Sequence, residues 1–202
     1  MGNADGPGRD SLPSRMHRRL AELVDYAQQT RQELVAAAAL VPDTLSRRRI
    51  APTAWSVAEV LEHLHRVERG IVKLVSRGVQ RARDGGAEPE RDESSLLGSL
   101  DQLRLVGRQP AVAAPEPVMP RGDLSAAEGL AALETSRREL LSAVAEGDGL
   151  ALGTVTYPHP LLGDLNLYQW ILFVGQHEAR HAGQIREIAA HLPEALIADY
   201  PE

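Results

Sequence analysis

The stretch GQHEARHAGQI, residues 175–185, places His177 and His181 four positions apart. On a helix that spacing stacks two side chains on one face, so both imidazoles can converge on a single ion. Read literally, the stretch also contains H-E-x-x-H, in which two histidines bind zinc and the intervening Glu, here Glu178, serves as the general base of a protease. The extended form of that signature needs Gly at 184 and His or Asp at 187, where this chain has Gln184 and Glu187. No recognisable substrate-binding strand precedes the run. The pair therefore reads as a metal pair without the protease, and Glu178 as a structural or supporting residue.

A helical wheel at about 100° per residue puts Leu167, Trp170, Ile171, Val174, Ile185, Ile188 and Leu192 on one stripe, with His177 and His181 inside it and Arg180 opposite. A second segment, TAWSVAEVLEHLHRVE, carries its own stripe through Val57, Val60, Leu64, Val67, Ile71 and Leu74. His63 falls on the border of that stripe, whereas His65 and Glu62 point away from it. One inward histidine is ordinarily a hydrogen-bonded core residue. Three are harder to bury, since each unpartnered imidazole costs on the order of 1 kcal/mol or more. A single divalent ion satisfies three nitrogens at once and adds to the stability of the fold.

Local punctuation supplies the elements that must hold these residues. From about Pro13 to Pro42 apolar residues recur at helical spacing, with Leu20, Leu23, Val24, Leu34 and Val35 expected inward. Three further helix starts are marked by a polar cap with its partner three residues on: Ser56 with Glu59, Ser125 with Glu128 and, more weakly, Asn166 with Gln169. These predict helices over roughly 56–82, 125–146 and 165–192. The connection over 83–124 holds five prolines and opposes regular structure, apart from a short helix expected around Ser94 to Val106. No segment shows sustained strand alternation. The expectation is an all-α fold, an antiparallel four-helix bundle with a long crossover loop between helices two and three. Residues 1–12, rich in Gly, Asp, Ser and Pro, are expected to form a disordered tail, and 13–202 the bundle domain.

Composition narrows the function classes. The chain of 202 residues is 43% hydrophobic, enough for one domain with a substantial core. With no cysteine it has no disulfide, no thiolate nucleophile and no Cys-based zinc site, so a metal must be held by His, Asp or Glu. A net charge of −6 argues against broad attraction to nucleic acid. No apolar run suffices to span a bilayer, and the first residues lack the apolar centre of a secretory signal. The reading is of a cytoplasmic protein that binds neither nucleic acid nor membrane. Arg121-Gly122-Asp123, an integrin-type tripeptide, is most simply a turn before the Ser125 cap. Arg77, Arg81 and Arg83 fit favourable placement near a helix C-terminus.

Three blocks in order, TAWSVAEVLEHLHRVE, YPHPLLGDLNLYQWILF and HEARHAGQI, together resemble the DinB-like (YfiT-like) family of metal-dependent bacterial proteins. The resemblance covers about residues 14–192 and leaves most of 83–124 without correspondence. It implies a four-helix bundle with a divalent metal, zinc or nickel, held by one histidine of helix two and two of helix four. Those positions are His63, His177 and His181 here, the trio that the wheels point inward. His65 is outside the pattern, and His159 belongs to a His-Pro turn that looks structural in the family. Trp55 and Trp170 are read as core anchors.

Two function classes follow from these readings. One is a metal-dependent enzyme acting on a small molecule, either a hydrolase or a transferase using an external low-molecular-weight thiol such as mycothiol, as relatives do. The other is a metal-stabilised binding or stress-response module without turnover. No catalytic side chain is assigned beyond the ligands. A homodimer is compatible with a bundle, though no residue specifies it.

Overall fold

A computed structural model describes residues 16–107 and 113–198. It is mostly helical, with four long helices and one small two-stranded sheet: α1 (Arg18–Ala38), α2 (Val57–Asp84), α3 (Ala126–Glu146), β1 (Thr156–His159), β2 (Gly163–Asn166) and α4 (Leu167–Ala198). The expected tail, 1–12, lies outside the described residues, as do both ends of the expected 13–202 domain. Among the described residues no helix is long and apolar enough to cross a membrane.

All three caps form as reciprocal pairs. Glu59 N–H donates to Ser56 Oγ at 3.3 Å while Ser56 N–H donates to the Glu59 carboxylate at 2.8 Å. The Ser125/Glu128 pair repeats this at 3.2 and 2.8 Å, and the Asn166/Gln169 pair at 3.0 Å in both directions. Each satisfies two amides that a helix start leaves open. Helix α4 runs further than expected, to Ala198.

Helix α1 packs on α4, α2 on α3, and α2 also on α4. The core falls into two apolar clusters. One gathers Leu20, Leu23, Ile71, Val75, Leu140, Tyr168 and Ile171; the other gathers Leu34, Val57, Leu61, Leu64, Leu133, Ile185 and Leu192. Each helix contributes to both, and at each changeover stands a charged residue: Arg31, Glu68, Arg137 and Glu178. Val35, expected inward, is 45% exposed, because Leu34 already takes the inner position of that turn.

The segment expected to be helical around Ser94–Val106 holds only a 3-10 turn, Asp101–Leu103. Its first amides are claimed by side chains, Ser94 N–H donating to Asp92 at 2.8 Å and Leu96 N–H to Glu22. Those of Ser99, Asp101, Leu103 and Arg104 donate to the carbonyl three residues back and not four, so the chain turns without forming an α-helix. Leu96 and Leu100 are buried without a helix to present them. Upstream, Glu90 anchors the same connection, accepting from Tyr168 Oη at 2.7 Å, Arg19 Nη1 at 3.0 Å and the amides of Arg91 and Asp92.

The β-hairpin was not expected from the sequence. Its strands are four residues each, paired antiparallel from Thr156↔Asn166 to His159↔Gly163. Such short strands cannot show alternation, and Pro158 sits within one of them; in a two-stranded ribbon both strands are edges, where a missing amide is tolerated. Gly163, at φ 79°, supplies the left-handed residue that closes the turn.

Candidate metal centre

His63 projects from α2 and His177 and His181 from successive turns of α4, and the fold brings the three rings together. His63 Nε2 lies 3.4 Å from His177 Nε2, which lies 3.1 Å from His181 Nε2. One ligand atom from each residue falls within 4.8 Å of the others, and among the described residues this is the one such group of three. His63 and His181 are buried, while His177 keeps part of its surface accessible.

The far nitrogen of two rings is already engaged. Nδ1–H of His63 donates to the Val118 carbonyl at 2.8 Å, and Nδ1–H of His181 to Gln184 Oε1 at 2.8 Å. In the neutral rings this leaves Nε2 of both with its lone pair directed at His177. A proton on His177 Nε2 can be aimed at only one of those two lone pairs at a time. An ion accepting all three removes the conflict: nitrogens at the corners of a zinc tetrahedron, about 2.0–2.1 Å from the metal, stand about 3.3 Å apart. The observed 3.1 and 3.4 Å bracket that edge. The donor chemistry of these residues fits a divalent ion, and two of the three nitrogen pairs stand near that spacing, with all three atoms within 4.8 Å of one another.

Electrostatics favours the neutral form of two of the donors. Burial, and then the neighbouring His181, His63 and Arg180, hold His177 well below the usual imidazole range. Burial also lowers His63, partly offset by its bond to Val118. A neutral imidazole is the form that ligates.

Aromatic rings wall the trio. Trp55 contacts His63 with centroids 4.8 Å apart and stacks on His181 at 6.3 Å and 18°. Phe173, one turn before His177, lies parallel to it at 5.1 Å and 17°. Trp55 is thus more than a core anchor, whereas Trp170 is buried as expected and donates Nε1–H to the Tyr157 carbonyl at 3.3 Å. On the inner side a cavity of about 10 Å³ lies among Leu64, Val67, Ile71, Val174, Glu68, Glu178 and His177, the scale of a single water.

Glu178 is not available as a base. It accepts from Arg31 Nε at 2.7 Å, Arg137 Nη2 at 2.8 Å and Thr30 Oγ1 at 3.3 Å. Glu68 closes the ring, accepting from Arg31 Nη2 at 3.0 Å, Arg137 Nε at 2.7 Å and Ser136 Oγ at 2.6 Å. The result is a charge-balanced square with one corner from each helix. Its four residues are between 2% and 8% exposed.

The other candidates lie elsewhere. His159 accepts the Leu161 amide at 3.1 Å within its turn and packs on Trp170 and Phe173. His65 is half-buried and outside the trio. Arg83 reaches the carboxylate of Glu146 across the end of α3. Glu62, expected to point away from the aliphatic stripe, does so, yet is 2% exposed because residues 121–123 cover it. Burial opposes its ionisation, but the amides of those three residues and the Arg66 guanidinium outweigh it and hold the carboxyl below its ordinary range.

Gln184 and the arginine–glutamate square carried a usable sequence signal. Gln184 stands three residues after His181, within reach along a helix, and Arg31, Glu68, Arg137 and Glu178 interrupt apolar stripes. The Val118 carbonyl had none, being backbone brought in by an irregular segment.

Residues 26–185 match the DinB superfamily, a span that contains all three histidines. An uncharacterized protein of Bacillus subtilis (strain 168), YuaE, is 30% identical over 142 residues, covering 70% of this chain and 81% of the relative. No solved structure matches the chain.

Proposed function

The chain belongs to the DinB superfamily, and from that membership we propose that it is a divalent-metal protein whose ion is held by His63, His177 and His181. The observation that carries the reading is the convergence of three Nε2 atoms, two of them on rings whose Nδ1–H is already spent on Val118 and Gln184. Zinc or nickel suits an all-imidazole donor set. Such an ion would supply Lewis acidity, lowering the pKa of a water, polarising a carbonyl or holding a thiolate.

The enzyme we favour is a hydrolase or a thiol transferase acting on a small molecule. The partly exposed flank of His177 is where a substrate would approach, with Phe173 and Trp55 as its apolar borders. Glu178 and Glu68, each held by two arginines, take no proton in this scheme. With no cysteine in the chain, sulfur would come from an external low-molecular-weight thiol. The same proposal takes the helices as an antiparallel four-helix bundle with a crossover between α2 and α3. It also takes the protein as cytoplasmic, without nucleic-acid or membrane partners, and compatible with a homodimer.

One observation favours a second reading, a metal-stabilised module without turnover. Trp55 and Phe173 pack directly on the ligand rings, and the adjoining cavity is only about 10 Å³. In that case the ion fastens α2 to α4 and does nothing more.

Elemental analysis of protein purified without chelator, beside His63→Ala and His177→Ala, tests the shared premise. Stoichiometric metal is expected in the wild type and its loss in both variants. Saturating metal should stabilise the wild type alone, by about 2.7 kcal/mol when free metal is at 100 times Kd. Wild-type protein without metal and variants of equal stability would sink the reading. Screens of small thiols with electrophiles, and of amides and esters, then separate enzyme from module.

A further inference from the structure

Consecutive residues of α2 grip the segment before α3 at two points. Glu62 accepts the backbone N–H groups of Arg121, Gly122 and Asp123 at 3.0, 2.8 and 3.2 Å, and Nε–H of Arg66 at 3.1 Å. His63, the next residue, donates Nδ1–H to Val118 in the same segment. Gly122 has φ 76°, a left-handed conformation that glycine adopts without strain and that turns successive amides toward one carboxylate. The grip is therefore built into the backbone.

We propose that Glu62 is a positioning residue for the metal centre, acting through the Arg121–Asp123 turn to hold the Val118 carbonyl against His63 Nδ1. This rests on the metal-binding reading above. An imidazole in water can carry its proton on either nitrogen. Only the Nδ1–H form of His63 presents a lone pair toward His177, and the Val118 carbonyl selects that form. Val118 and Met119 belong to no long helix; their nearest structure is the 3-10 turn Glu116–Val118. The three amides bound to Glu62 fix the chain three to five residues beyond that carbonyl. Loosening them frees the carbonyl to drift and lets the ring take the other tautomer. By linkage, an ion that favours the placed segment is itself favoured by it, so metal should slow amide exchange at residues 121–123.

Cobalt(II), followed by its visible absorption, is the probe, titrated into full-length wild type, Glu62→Ala, Glu62→Gln and Glu90→Gln. Glu90 anchors the far end of the same connection without touching the trio. Glu62→Ala should weaken cobalt binding by about tenfold or more and alter the spectrum. Glu62→Gln, which keeps one accepting oxygen, should fall between. Glu90→Gln should lower stability while leaving affinity and spectrum as in the wild type. In zinc-loaded wild type, exchange at 121–123 should slow relative to metal-free protein. If both Glu62 variants bind cobalt with wild-type affinity and spectrum, Glu62 is a loop anchor and the proposal falls alone. If the wild type takes up no cobalt, the metal reading falls and takes this one with it. Should Glu62→Ala not fold, Glu62→Gln decides.

Discussion

Two buried polar clusters meet on α4, one residue apart in sequence. Around Glu178, two arginines and two glutamates from four helices cancel in charge, and Thr30, Ser136 and two backbone carbonyls complete their bonds. Around His177, three imidazoles from two helices face one another with acceptors in excess of donors. The first cluster is closed: it asks for nothing that the chain does not provide. The second is open in the chemical sense, since two lone pairs face a third nitrogen that can offer a single proton. Burial alone did not distinguish them, as both lie among apolar residues; the balance of donors and acceptors did.

The contrast can be broken at the closed cluster first. Arg137→Met leaves two glutamates sharing one arginine, and removing one partner of a buried ion pair costs about 3–5 kcal/mol. Denaturant unfolding should show a loss of that order, while each folded molecule retains its full metal complement. Equal loss of metal would mean that the two clusters are one unit.

Acid should strain the open cluster next. In metal-free protein His63 and His177 resist protonation when folded and become protonated when unfolded below about pH 6.5. The unfolded chain then binds more protons, so stability is full above that pH and falls as pH drops toward the depressed folded values. The slope is up to about 1.4 kcal/mol per pH unit for each such histidine. His63 and His177 are the groups so depressed. His177→Gln should flatten the profile, and an unchanged slope would mean that the ring is not held neutral.

The smallest effect sharpens the contrast. Gln184→Ala removes the acceptor of His181 Nδ1–H and should weaken cobalt binding about tenfold, near 1.4 kcal/mol, and lower metal-free stability by on the order of 1 kcal/mol. A variant that binds metal normally would show that His181 needs no outer partner.

The helices and the inward trio were legible because caps and helical periodicity are local. Ser56–Glu59 and Ser125–Glu128 act over four residues, and the angle between His177 and His181 follows from helix geometry alone. The square left a signal, four charged residues interrupting apolar stripes, but not its meaning, because a charged residue on one wheel reads as outward until its partners on the other helices are known. Arg31 and Glu68 are inward only because partners 147 and 69 positions away, Glu178 and Arg137, meet them. Glu62 misled similarly: pointing away from one apolar stripe is not pointing into water when another segment lies across it. The hairpin escaped because four-residue strands around Pro158 carry too little pattern to read.

His177 and Glu178 are neighbours on one rigid rod, about 100° apart around its axis. Any roll of α4 that would reshape the imidazole trio must also tear the carboxylate from two guanidinium groups. The glutamate thus works like the key of a keyed shaft: it fixes the angle at which the shaft can sit.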